Sequence, residues 1–294
     1  MIQLDPFLIA IGTLGILVFI VTSMMGMGFS LTIQQIIAPL KNTRLVLMSL
    51  LANFILVPIL VLLIVQFLPL SEGLKIGLIL TGMAAGAPFL PKLVQVAKGD
   101  MAFTAGLMVL LMVVTNAFLP IVLPFVLTGV QVNPWDIAKS LILLMLMPLG
   151  ISLFIRARYE DVAKGLIPTM AMATNLSLIV LFIGYFVAYF SEIFGVIGSG
   201  GILAAILLIA GGVMVGFLLG GPGIGTRKVL ALGTGQRNLA AAFAVATSNF
   251  ASNPEVLIEI LVVSLLGLAI LMIIAGQLGS RGGAEAGENK GQRA

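Results

Sequence analysis

The sequence predicts an all-α integral membrane protein with nine transmembrane helices, two of which are broken in mid-span. Of the 294 residues, 60% are hydrophobic and 9% are charged, and the mean hydropathy is +1.22. Soluble domains carry roughly 25% charged residues, so this composition is typical of a membrane protein. Uncharged runs at 101–135, 193–226 and 260–280 each reach the ~20 residues that a helix needs to cross the hydrocarbon core. A multi-pass protein of the inner (plasma) membrane, surrounded by the lipid bilayer, is therefore expected.

The composition also excludes several function classes. The chain has no Cys and no His, which rules out disulfide and thiol chemistry and a His-ligated zinc site. Catalysis needs a nucleophile with a base, or a metal cluster, and the spans carry almost no carboxylate. Neither an enzyme nor an organic cofactor is expected. The net charge of +4 is small and lies in loops, so it indicates topology rather than a nucleic-acid partner.

The nine expected helices follow one another with short connections. Their spans are about 7–31, 45–68, 72–98, 101–127, 134–155, 166–190, 201–219, 228–246 and 254–276. No basic segment precedes the first span, so a cleavable signal is not expected. A charged stretch at 156–161 is expected to be a solvated loop. The transmembrane domain occupies 1–280, and the tail 281–294 is rich in Gly, Glu and Lys, which predicts disorder.

Two of these spans are interrupted by residues that do not suit a continuous helix. Helix 8 contains the sequence GTGQRN at 233–238, and helix 3 contains GMAAGAPFLPK at 82–92. Proline lacks an amide donor and crowds the preceding turn, so Pro88 and Pro91 free nearby carbonyls for cations or substrate. Polar groups in mid-span are costly unless they are used. The pattern predicts a transporter whose binding site lies between the two broken helices.

Polar side chains elsewhere in the spans are secondary candidates. They are Asn53 in helix 2, Thr104, Thr115 and Asn116 in helix 4, and Asn175 in helix 6. At such depths polar groups face protein or a cavity. A single buried Asn more often joins two helices than binds a ligand, so both roles stay open for Asn53.

Basic residues are concentrated in alternate loops. They follow helix 1 (Lys41, Arg44), helix 3 (Lys98), helix 5 (Arg156, Arg158, Lys164), helix 7 (Arg227, Lys228) and helix 9 (Arg281, Lys290, Arg293). Because positive charge marks cytoplasmic loops, we expect the amino terminus outside and the carboxyl terminus in the cytoplasm. Helices 3 and 8 then run in opposite directions, as an inverted repeat requires.

Four segments together resemble the bile acid:sodium symporter family. They are GMGFSL at 26–31, Asn53 with Pro58, the break at 86–91, and GQRNLAAA at 235–242, and their order is kept over nearly the whole chain. The resemblance implies a nine-helix member with a core of helices 2–4 and 7–9, at about 45–128 and 201–276. Helices 1, 5 and 6, at about 7–31 and 134–190, would form a panel. Family substrates are organic anions, including bile acids, pantoate and 2-keto acids, carried by alternating access.

The resemblance and the two breaks together indicate the site residues. The expected substrate-binding residues are Pro88, Lys92, Asn175, Thr234, Gln236, Arg237 and Asn238. The expected ion-binding residues are Asn53, Thr104, Thr115, Asn116 and Gln236, with sodium or a proton as the coupling ion. Half-helix amino termini favour anions through their dipoles, so a small organic carboxylate is the expected partner.

Sodium coupling is where the chain departs from the family. Sodium-binding members place a Glu shortly before the Gln/Asn pair of the second broken helix, and Ala231 stands at the matching position. A Ser-Asn pair of the first break is replaced by Leu90 and Pro91. The lost groups include the anionic ligand. We therefore expect transport that depends weakly or not at all on sodium, although sodium coupling through neutral oxygens stays open as an alternative.

Two basic residues at the breaks admit different roles. Lys92 and Arg237 could extend to an interface or pair with Asp100, Glu255 or Glu259. Alternatively, at least one of them attracts the anion or holds the position that a sodium ion would take, and Lys92 could carry a coupled proton. A channel or a non-transporting sensor of the same fold also stays open.

Overall fold

The architecture was analysed in a computed structural model of the chain. The structure describes residues 6–127, 133–190 and 195–291, and it describes side chains for 7–127, 133–190 and 195–280. Within these ranges the chain is helical and contains no β-strand.

The helices are named here in chain order, and the two parts of a broken helix share a number. Their bounds are α1 Pro6–Ser30, α2 Thr43–Phe67, α3a Glu72–Met83, α3b Leu90–Ala97, α4 Met101–Val126, α5 Pro134–Arg158, α6 Glu160–Ala188, α7 Gly201–Leu219, α8a Ile224–Gly235, α8b Leu239–Asn249 and α9 Pro254–Gly291. A short helix at Ile33–Ile37 and a 3₁₀ turn at Ala38–Lys41 join α1 to α2.

Seven helices in the described ranges are long and apolar enough to cross a membrane: α1, α2, α4, α5, α6, α7 and α9. The chain is therefore a multi-pass membrane protein. The halves of α3 and α8 are each too short to span alone, so the nine-helix topology and the inverted repeat stay predictions. Residues 156–161, expected to form a loop, instead belong to the end of α5 and the start of α6, with only Tyr159 between the two helices. Helix α9 continues to Gly291 and so includes most of the segment for which disorder was predicted.

Small residues let α1 pack closely on α6 and α5. A Cβ on Gly12 would lie 2.7 Å from the Tyr185 ring, and one on Gly15 would lie 2.9 Å from the Leu181 backbone nitrogen. A Cβ on Gly28 would collide with Ser152 of α5. Such close approach is the usual means of helix association in lipid. We refer to α1, α5 and α6 as the panel, and to α2, α3, α4, α7, α8 and α9 as the core.

A second stripe of glycines joins α7 to α8a in the core. Added Cβ atoms on Gly212 and Gly216 would lie 2.8 Å from the Thr234 carbonyl oxygen and 2.2 Å from the Leu230 carbonyl oxygen. A Cβ on Gly77 of α3a would lie 2.6 Å from the Val256 carbonyl oxygen of α9. These backbone approaches hold the first half of each broken helix against a continuous one.

Proline shapes α2 next to its buried amide. A π-helical stretch at Ala52–Leu56 precedes Pro58, and such stretches accommodate local disruption of the helical hydrogen bonds. Asn53 lies within it and is completely buried. The irregular turn therefore places a polar side chain inside the core.

The orientation can be tested with cysteines, because the natural chain has none. Ser252 precedes α9, and Gly283 lies near its far end. We expect Ser252→Cys to react with a membrane-impermeant maleimide from outside intact cells, and Gly283→Cys to react only in inverted vesicles. Labelling of both positions from the same side would contradict the topology.

Candidate functional site

The first break is a non-helical segment between α3a and α3b. Residues 84–89 leave the helix, and Gly86 has a φ of +83°, which favours glycine. The Thr115 hydroxyl of α4 donates to the Ala85 carbonyl at 3.0 Å and accepts from the Ala85 amide at 2.9 Å. Thr115 thus supplies hydrogen bonds that the broken helix has lost, as a buried backbone requires.

The second break is bonded directly to the first. Asn238 caps α8b by accepting from the Ala241 amide at 3.1 Å. Its side-chain amide donates to the carbonyls of Ala85 (3.2 Å) and Gly86 (2.9 Å), and its backbone amide donates to the Ala84 carbonyl at 2.9 Å. The two breaks therefore cross in contact, and Asn238 is the link between them.

Arg237 lies buried at this crossing, with 3% of its surface exposed. Its Nη1 donates to Asn53 Oδ1 and to the Thr234 carbonyl, both at 3.0 Å, and its Nη2 donates to the Gly82 carbonyl at 2.7 Å. A longer bond of 3.3 Å runs from Nε to the Thr81 carbonyl. We call these four acceptors the oxygen cage. No carboxylate of the described residues forms an ion pair with Arg237.

The oxygen cage is suited to a cation because of where its carbonyls lie. Thr81 and Gly82 belong to the last turn of α3a, and Thr234 belongs to the last turn of α8a. Carboxyl ends of helices carry partial negative charge. Asn53 is held in place by donating to the Ser49 carbonyl (3.0 Å) and to Thr234 Oγ1 (3.1 Å), which leaves its oxygen for Arg237. The guanidinium is thus surrounded by neutral oxygen acceptors.

A cavity of about 650 Å³ lies between panel and core, next to the crossing. Its walls come from α1 and α6 on one side and from both breaks and α9 on the other. The polar and charged lining residues are Ser23, Ser30, Lys92, Thr174, Asn175, Gln236, Arg237 and Ser264. Among the described residues that line it, Lys92 and Arg237 are charged and none is acidic. The rest of the wall is apolar, with Phe19, Phe182 and Met108 among the large side chains.

Comparison with known protein families identifies the family of this chain. The model of the sodium bile acid symporter family, the family that the sequence motifs resemble, matches residues 16–199. The chain belongs to this family. No curated protein matches the chain. Members of the family are membrane transporters rather than enzymes. The match runs from within α1 to just before α7 and includes the first break.

The structure places the predicted substrate residues of this symporter-family member in two groups. Pro88, Lys92, Asn175, Gln236 and Arg237 line the cavity. Thr234 and Asn238 are completely buried behind it and take part in the crossing. Gln236 faces the cavity, and its buried Oε1 has no hydrogen-bond partner among the described residues.

The predicted ion-binding residues are not all brought together. Asn53 contributes to the oxygen cage, whereas Thr115 bonds to the first break. Thr104 donates to the Asp100 carbonyl at 2.7 Å, and Asn116 donates to the Met112 carbonyl at 2.7 Å. These bonds stay within α4 and its amino-terminal cap, so the cage does not include them.

Sequence reasoning found Asn175 on the panel side of the cavity but missed the contribution of α1 and most of the cage. Ser23 and Ser30 of α1 resemble ordinary small polar residues of a membrane helix, and no motif singles them out. The carbonyls of Thr81 and Gly82 have no signature in the sequence, because they are backbone groups. Lys92 is exposed, and neither it nor Arg237 pairs with Asp100, Glu255 or Glu259 in the described residues.

Proposed function

We propose that the chain is a secondary active transporter of a small organic anion, operating by alternating access without a requirement for sodium. The observation that carries the substrate class is the cavity wall, which is largely apolar with basic and no acidic residues among those described. A carboxylate with an apolar body fits such a wall: the charge is drawn to Lys92, and the body is buried against the panel. A volume of about 650 Å³ is within the range of small-molecule sites.

The position of the cavity supports alternating access. One wall belongs to the panel and the other to the core, so a movement of core against panel would carry the bound anion from one side of the membrane to the other. Gln236 and Pro88 lie in the breaks themselves. The proposed setting is the inner membrane, with the amino terminus outside and the carboxyl terminus in the cytoplasm.

The oxygen cage supports independence from sodium. Coupling sodium ions in broken-helix transporters are bound by freed carbonyls and half-helix carboxyl ends, and here such groups are already bonded to Arg237. Two positive charges 4 Å apart repel by about 4 kcal/mol at an effective dielectric of 20. The tethered guanidinium therefore excludes a sodium ion from the cage.

Lys92 provides the test of the substrate class. We expect Lys92→Gln to weaken the binding of cholate, pantoate or pyruvate by about tenfold or more, because a hydrogen-bonded charge is worth about 1.5–3 kcal/mol. Binding is measured by thermal shift of the purified protein. Lys98→Gln is the matched control, because Lys98 ends the same helix away from the cavity. Equal affinities in all three proteins would contradict an anion site at Lys92, and no stabilisation of the wild type by any probe would count against the class.

Uptake into proteoliposomes tests sodium independence. We expect equal initial rates of uptake in sodium and choline buffers at fixed pH, together with saturation and counterflow. A steep, cooperative rise with sodium would show instead that neutral oxygens suffice for coupling. Flux without saturation or counterflow would indicate a channel, and binding without flux would indicate a sensor.

A further inference from the structure

Glu259 is a buried acid that the proposed substrate site does not use. It lies in the second turn of α9, within the membrane-spanning part of that helix, and its side chain is 0% exposed. Both carboxyl oxygens are buried, and neither has a hydrogen-bond partner among the residues that the structure describes. An ionised carboxylate in such surroundings costs several kcal/mol unless it is paired, so a carboxyl without a partner favours the form that holds a proton.

Glycines on two other core helices make the space for this carboxyl. A Cβ on Gly77 of α3a would lie 2.7 Å from Glu259 Cβ, and a Cβ on Gly201 at the start of α7 would lie 2.7 Å from Glu259 Oε2. The carboxyl therefore points at the amino terminus of α7, where the helix dipole favours negative charge. A small shift of α7 against α9 would be enough to stabilise the ionised form.

Residues 195–200 lead into the start of α7, beside Glu259. Val196 lies between α6 and α7, and its Cγ1 is 2.8 Å from the same Cβ position on Gly201. The segment bends at Gly198 and Gly200, whose φ values are +95° and +88°. A shift of α7 that moves residues 195–200 would alter the contact of Glu259 with water.

Among the residues that the structure describes, the charged groups around Glu259 do not compensate its charge. α3a carries Glu72 and Lys75 in its first turns, and α9 carries Glu255 one turn earlier; α7 has no ionisable side chain. Glu255 Oε2 accepts a hydrogen bond of 2.5 Å from the Ser71 hydroxyl. Neither Lys75 nor any other described basic residue forms an ion pair with Glu259.

We infer that Glu259 is a proton-binding site that loads and releases one proton in each transport cycle. This inference rests on the proposed transport function and names its coupling ion. One carboxyl oxygen takes a proton from water on one side of the membrane and returns it to water on the other side, together with one anion. For a monovalent carboxylate, the summed charge moved is zero. Glu259 thus replaces Lys92 as the proton carrier, because Lys92 is exposed.

The test uses the whole protein in proteoliposomes that contain a pH-sensitive dye. Labelled cholate, pantoate and pyruvate are added outside in turn. We expect the wild type to acidify the lumen as it takes up its substrate. Glu259→Gln, which is isosteric and permanently neutral, should keep counterflow and lose the acidification, whereas Glu255→Gln, one turn away on the same helix, should keep both. Acidification by Glu259→Gln at the wild-type rate would overturn the inference.

Infrared difference spectroscopy gives a readout that does not depend on substrate. We expect a carbonyl band of a protonated carboxyl in the wild type and in Glu255→Gln, and its loss in Glu259→Gln. A missing wild-type band would overturn the inference whatever the flux. If the wild type takes up none of the three compounds, the proposed function is overturned, and so is the coupling. The band would then mark a purely structural carboxyl. Uptake with acidification in the wild type, and uptake without acidification in Glu259→Gln, would support both the proposed function and the proton-binding role.

Discussion

Replacing Arg237 with alanine is expected to abolish transport in choline buffer and to lower the melting temperature of the protein. The substitution removes a donor from the four acceptors of the oxygen cage, of which the Thr81 carbonyl keeps the Ala84 amide. Each buried polar group that loses its partner costs about 1–3 kcal/mol. The loss would loosen the link between α2, α3a and α8a, and the crossing that forms one wall of the cavity would no longer be held in place.

Sodium should partly restore the stability of Arg237→Ala. This result would distinguish a role of the oxygen cage from a general packing defect. With the guanidinium removed, the cage offers neutral oxygens at two helix carboxyl ends, the kind of site that binds sodium in broken-helix transporters. We expect Arg237→Ala to be stabilised by sodium chloride relative to choline chloride in a thermal-shift measurement. The wild type and Arg158→Ala, a control in which the lost arginine is exposed, should show no such difference. Equal melting temperatures of Arg237→Ala and wild type in both salts would refute the role given to Arg237.

Gly86→Ala is expected to prevent assembly of the core. The left-handed backbone at Gly86 costs an alanine about 1–2 kcal/mol. The added Cβ would also lie 2.2 Å from the Met112 amide nitrogen of α4, and helix backbone cannot yield as a flexible side chain can. Overpacking adds roughly 1–3 kcal/mol. We therefore expect little monodisperse protein in size-exclusion chromatography and no transport.

Gly150→Ala is the matched control for Gly86→Ala. Gly150 lies inside α5, and nothing is within 4 Å of the position that a Cβ would take there. Alanine stabilises a helix interior by roughly 0.5–1 kcal/mol relative to glycine. Expression and melting temperature should therefore equal or exceed those of the wild type. A Gly86→Ala protein as stable as Gly150→Ala would show that the first break does not approach α4 as described.

The family, the membrane class and the positions of the two breaks could be predicted from the sequence. These properties depend on local composition: long apolar runs must be helices in lipid because backbone groups have no other partners there. Proline and glycine at 82–92, and glycine and polar residues at 233–238, interrupt such runs wherever the rest of the chain lies. The residues that match the family model, 16–199, include the first of these breaks.

The roles of individual polar residues were decided only by the tertiary structure. Asn238 and Arg237 are neighbours in a polar run, yet one links two backbones and the other fills the oxygen cage, because side-chain direction depends on how α8 crosses α3. The cage itself is made largely of carbonyls, which every residue has, so no residue pattern could indicate it. Glu259 resembled an ordinary residue near a helix start. Its isolation follows from Gly77 and Gly201 on other helices. These glycines lie 182 and 58 positions before Glu259 in the sequence (259 − 77 and 259 − 201). Only folding brings the three residues together.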